Sequence, residues 1–166
     1  MTAPLIAQEE SAIYKVLRKH DATHWPWTLP PTWRWERIGD VTQIVGGGTP
    51  STQVASNFGG DIPWITPADL SSYSAKHISR GARNLSADGL TNSGARLMPT
   101  GTVLFSSRAP IGYVAIASNP IATNQGFKSF VLSDELLPGF VYYWPKARLI
   151  KSPWPGYCCV YARVTR

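Results

Sequence analysis

The chain has 166 residues and is 43% hydrophobic, enough to enclose the core of one domain, and only 16% of it is charged. Fourteen glycines, fourteen prolines and an aromatic set of 7 Trp, 7 Tyr and 5 Phe favour strands and tight loops over long helices. The net charge of +6 points to a polyanion, but Lys146, Arg148, Lys151, Arg163 and Arg166 fall within residues 145–166 without a single acid.

Other classes are excluded by what the residues lack. Cys158 and Cys159 are adjacent, so they fit neither the spacing of a zinc site nor an ordinary disulfide framework. No apolar run reaches the ~18 residues that span a bilayer. "MTAPLIAQEES" does not have the basic start and apolar core of a signal peptide. The expectation is a soluble, cytoplasmic protein with no membrane association.

In chain order, residues 1–24 predict one weak helix, with Ile6, Ile13, Val16 and Leu17 near helical spacing and Lys15, Arg18 and Lys19 at its end. "HWPWTLPPTW" is an extended lead-in, and the folded domain is expected to begin near Trp33. "WRWERIGDV" alternates as a half-buried strand, and "TQIVGGGTPS" is a short strand running into Gly46, Gly47 and Gly48. Ile62 to Thr66 predicts another strand, followed by a turn through Pro67. "NLSADGLTNSGA" predicts a short helix with Ser86 as N-cap and Asn92 to Gly94 ending it. Residues 100–133 read as three strands with turns at Pro110–Gly112, Asn119–Pro120 and Asn124–Gly126. A last helix is expected from Leu137 through "FVYYW".

Catalytic patterns are missing. "GGGTPST" supplies backbone amides that could cradle an anion, but Thr49 and Pro50 stand where a phosphate loop needs Lys followed by Ser or Thr. His20, His24 and His77 are isolated, and there is no G-x-S-x-G elbow. Asp61 and Asp69 read as turn residues flanking a strand. "SNPIAT" fails the methyltransferase pattern at both positions after Pro120. The reading is no catalytic residue, no metal and no cofactor.

The cations carry more information. Within residues 62–133, Lys76, Arg80, Arg83, Arg96, Arg108 and Lys128 face only Asp69 and Asp88, so a nucleic-acid surface belongs there. "KHISRGAR" is a polar loop that serves either as a solvated face or as a phosphate patch. Arg108 follows Ser106 and Ser107 at the edge of a tight turn. Asn124 and Gln125 are amides in a turn between two apolar runs.

Taken together, "LPPTWRWERIGDV", "GGGTPS", "DIPWITPADL", the run from "ISRGARNLSADGL" to "ATNQGFKSF", and "FVYYW" resemble the target recognition domain of type I restriction-modification specificity subunits, over residues 29–144. The resemblance implies an α+β fold, a β-rich mixed recognition domain with short helices. It implies double-stranded DNA as the ligand, with methylation and cleavage carried by separate methyltransferase and restriction subunits. Phosphate contacts are expected from Lys76, Arg80, Arg83, Arg96 and Lys128, with Arg108, Ser106 and Ser107 near the bases. Gly47, Thr49, Pro50, Trp64, Gly112, Asn124 and Gln125 are expected to hold the scaffold.

Residues 1–28 are then a lead-in and residues 145–166 an atypical basic tail. Pro145, Pro153 and Pro155 stand where the family continues into its long coiled-coil helix, so that helix is expected to be missing and the isolated chain to be a monomer. Two alternatives stay open. One is a fragment of a DNA adenine methyltransferase carrying its own recognition domain, and the other a truncated accessory protein that binds methyltransferase subunits.

Overall fold

The computed structural model describes residues 33–108, 110–134, 136–149 and 160–164. The helix expected within residues 1–24 lies outside them. The chain divides into two compact units, residues 1–34 with 164–166 and residues 35–163. The second unit contains the central sheet, the smaller sheet and the candidate site.

Strand β1 (Trp33–Arg37) leads directly into a single helical turn, α1 (Ile38–Val41). It pairs with β10 (Val160–Val164) in a two-stranded sheet. The central sheet has five strands in the order β2-β9-β6-β7-β4. Here β2 is Thr42–Gly46, β4 His77–Ile78, β6 Val103–Phe105, β7 Val114–Ala117 and β9 Lys128–Leu132. β2 runs antiparallel to β9 from Thr42↔Leu132 to Gly46↔Lys128, whereas β4 joins β7 in parallel. A second sheet places β3 (Phe58–Ile65) between β5 (Arg83–Leu85) and β8 (Ala122–Thr123).

The alternation of side chains explains the layering. Val103, Phe105, Val114, Ile116 and Phe130 turn to one face of the central sheet, where Val141 and Tyr142 of α3 (Pro138–Leu149) cover them. Leu104, Ala115, Ala117 and Phe127 turn to the other face and meet Ile65, Ile78 and Ile121. A third cluster of Trp64, Leu85, Ala95 and Ala122 backs the small sheet, with Leu90 of α2 (Ala87–Thr91) packed against it. Leu104, Ile65 and Phe127 are completely enclosed, each contributing about 1.5–3 kcal/mol of transfer free energy. Because both faces of the central sheet are covered at its middle, β6 (VLF) and β7 (VAIA) are continuous apolar runs, whereas the edge strand β2 leaves Gln43 and Ile44 exposed.

Ser86 caps α2 as its sequence foretells, accepting from the Gly89 backbone N–H at 3.0 Å, and Asn92 closes the helix. Three features differ from the sequence expectation. Residues 100–133 contain four strands, because β8 leaves the central sheet to pair with β3. "KHISRGAR" is bounded by β4 and β5, two strands too short to show an alternation. α3 does not stop at Pro145 but continues to Leu149. A proline there removes one helical hydrogen bond, while Val141 and Tyr142 anchor the preceding turn in the core.

Candidate nucleic-acid interface

The glycine turn after β2 is a junction of close backbone approaches. A Cβ on Gly47 would lie 2.1 Å from the Asn124 carbonyl oxygen and 2.3 Å from that of Thr123. One on Gly48 would lie 2.4 Å from the Ala95 nitrogen. The Gly48 N–H donates to the Thr123 carbonyl at 2.9 Å, and the buried Trp64 indole donates to the Gly48 carbonyl at 3.1 Å. Only hydrogen fits as a side chain where three segments meet at this range. Thr49 then donates its hydroxyl to the Gln125 side-chain carbonyl, and Pro50 is buried.

The turn at residues 124–126 is tied down from several sides. The Asn124 side-chain oxygen accepts from the Gly126 N–H at 2.9 Å, and the Asn124 N–H donates to the Ile65 carbonyl. Ser107 donates to the Gly126 carbonyl through both its N–H, at 2.8 Å, and its hydroxyl, at 3.2 Å. Gly112, at φ 102°, lets the β6–β7 connection reverse in a backbone region that disfavours side chains.

Four cations lie on segments linked to this junction. Lys128 is the register partner of Gly46, and its Nζ lies against that glycine. Arg96 follows Ala95, which touches Gly48. Arg108 follows Ser107, whose bonds to Gly126 reach the turn that holds Thr49. Arg83 is linked through rings: its guanidinium stacks on Phe58 at 3.8 Å, Phe58 meets Trp64 edge-on at 6.0 Å, and Trp64 bonds Gly48. All four are exposed, and among the described residues none has a carboxylate partner. Such unpaired charges are kept solvated until an anion replaces the water.

Beside this junction, Phe58, Gly59, Gly60, Arg80, Gly81, Ala82, Arg83 and Asn84 line an open groove of about 640 Å³. A bulge shapes its floor: Phe58 and Ile62 both pair with Leu85, so residues 59–61 loop out of register. Its other wall is held by Asp69. One carboxylate oxygen accepts from the Thr66 N–H and hydroxyl, at 2.7 Å each, and the other accepts from the Ala82 N–H at 2.7 Å.

Three of the residues read from sequence as DNA contacts are engaged elsewhere. Ser106 is completely buried, donating to the Pro110 carbonyl and accepting from the Tyr113 N–H, both at 2.9 Å. No base can reach it. Lys76 lies over the rings of Tyr142 at 5.3 Å and Tyr143 at 4.7 Å, on the α3 side of the molecule. Ser107 is half-buried and committed to Gly126. Sequence reasoning missed Phe58 and the clamp of Asp69 on Ala82. Only the "FGGD" string hinted at the bulge, and its pairing partner is a strand of three residues.

The family model of the type I restriction modification DNA specificity domain matches residues 30–153. Over 124 residues the chain is 46% identical to the type I restriction enzyme MjaIX specificity subunit of Methanocaldococcus jannaschii, covering 75% of this chain and 29% of that protein. It is 30% identical over 114 residues to the HindI specificity subunit of Haemophilus influenzae, covering 69% and 24% respectively. The fold is similar to the HsdS subunit from Thermoanaerobacter tengcongensis, with a TM-score of 0.58, 24% identity, and 84% of this chain matched to 34% of that one. It is also similar to a chain from a study of assembly and conformational transition in the type I R-M system, with a TM-score of 0.65 at 21% identity, covering 96% and 42%. At these identities the two structures speak to the fold alone. The chain spans less than a third of the length of the curated relatives it matches.

Proposed function

The chain belongs to the type I restriction-modification DNA specificity domain family, and from that membership we propose that it binds double-stranded DNA and recognises one segment of a target sequence. The observation that carries this reading is the set of unpaired cations, Arg83, Arg96, Arg108 and Lys128, around the rigid Gly47–Pro50 turn, with Arg80 beside it. Cations held near a fixed backbone can meet phosphates in one register, which is what positions a reader on a duplex. Ser106 and Lys76, engaged internally, are left out of this surface.

In this reading the domain performs no chemistry, and methyltransferase and restriction subunits supply methylation and cleavage once it is assembled with them. Selection from a pool of randomised duplexes tests the proposal. Recovery of a reproducible base preference by the 166-residue chain is the expected result. An unbiased pool after repeated rounds would refute sequence recognition.

A further inference from the structure

The groove between β3 and β5 differs from the rest of the cationic surface, because among the described residues one of its two arginines rests on an aromatic ring and the other does not. The Arg83 guanidinium lies on the Phe58 ring at 3.8 Å, and that ring is braced by Trp64, which is itself only 5% exposed and bonded to Gly48. Stacking occupies one face of the guanidinium and leaves its N–H edges open. Among the described residues no carboxylate takes those edges. Arg80, on the same groove, is exposed and has no ring beneath it among the described residues.

The backbone around this pair is cleared and rigid. Gly59 has φ 83° in the bulge, a conformation that side chains disfavour, and nothing lies within 4 Å of its missing Cβ. Gly81 packs so closely that a Cβ would meet the Trp64 carbonyl at 2.6 Å, and Asp69 holds the next N–H. No lining residue between Arg80 and Arg83 exceeds a methyl group. A planar donor fork is therefore presented from a fixed platform beside an opening that a polynucleotide edge could enter.

We propose that Arg83, positioned by Phe58, is a specificity-determining residue that reads a guanine edge, while Arg80 takes the adjacent phosphate. This rests on the DNA-binding reading above. Guanine offers O6 and N7 as two acceptors in the major groove, which match the paired N–H groups of one guanidinium edge. A phosphate can also take a guanidinium fork, but it does not require one, since a lysine ammonium binds it as a point charge, whereas the paired guanine acceptors do require an oriented fork. The choice of a base for Arg83 and a phosphate for Arg80 follows from that difference in freedom.

The test compares the unaltered chain with Arg83→Lys, Phe58→Leu and Arg80→Gln, using the duplex recovered by selection and variants of it changed one base pair at a time. Arg83→Lys keeps the charge but loses the fork. It should reduce discrimination at one G·C pair by about five- to hundredfold and leave affinity for unrelated duplex nearly unchanged. Phe58→Leu, checked for folding by near-ultraviolet circular dichroism, should weaken discrimination at that same pair. Arg80→Gln should lower affinity for all duplexes alike.

If Arg83→Lys retains the full base profile, or weakens every duplex equally, Arg83 is a phosphate contact and the inference is wrong. If the unaltered chain shows no base preference at all, the proposed function itself fails, and the inference with it.

Discussion

Thr49 and Gln125 stand 76 positions apart in the chain, yet the Thr49 hydroxyl donates directly to the Gln125 side-chain carbonyl. This bond joins the glycine turn after β2 to the turn before β9, the two pieces around which the exposed cations are gathered. Both side chains are exposed, so the bond competes with water and contributes modestly. The close backbone packing beneath it is the stronger constraint.

That difference can be measured. Thr49→Val should cost about 0.5–1.5 kcal/mol, the net worth of one hydrogen bond. Gly47→Ala drives a methyl group into the Asn124 and Thr123 carbonyls and should cost roughly 3 kcal/mol through forced backbone movement. Urea unfolding of the two variants checks the ordering, and equal shifts would show that the turn can relax.

Asp69 is a second structural constraint. It accepts three hydrogen bonds, two within its own turn and one from Ala82 in the groove wall. Asp69→Ala should lose about 1.5–3 kcal/mol, the range for a hydrogen-bonded charge. It should also free the segment from Arg80 to Arg83, raising amide hydrogen exchange at Ala82 well above that in β6. Unchanged exchange at Ala82 would mean that the clamp holds nothing.

Lys76 offers a negative control. With its ammonium over two tyrosine rings, Lys76→Met should change stability by only ~0.5–1 kcal/mol. Its effect on DNA affinity should be less than twofold, in contrast to the phosphate role its charge invites. A large loss of affinity in this variant would extend the interface to the α3 side.

How far the sequence revealed these features depended on their range. Ser86 capping α2 and Pro67 opening a turn are local events, decided by the chemistry of four or five neighbours, and both were readable. The apolar run of β7, VAIA, announced itself as well. β4 and β5 did not, since two or three residues show no periodicity and their pairing depends on partners far along the chain. Ser106 was expected near the bases because "FSSRAPIG" reads as a strand end running into a tight turn. Its burial arises from the Pro110 carbonyl and Tyr113 N–H folding back over it. The contact of Lys76 with two tyrosine rings was illegible for the same reason, those partners lying more than sixty residues away on α3. Arg83 was legible as a cation, but the ring beneath it was not.

In the proposed function, duplex DNA is held by the cations around the Gly47–Pro50 turn and its neighbouring groove. The most direct measurement is the dependence of the binding constant on salt for the unaltered chain and for Arg96→Gln and Lys128→Gln. With about four phosphates neutralised, the log–log slope should be roughly −3 to −4, and each substitution should reduce its magnitude by about 0.9. Binding indifferent to salt, or slopes that neither substitution alters, would contradict the claim.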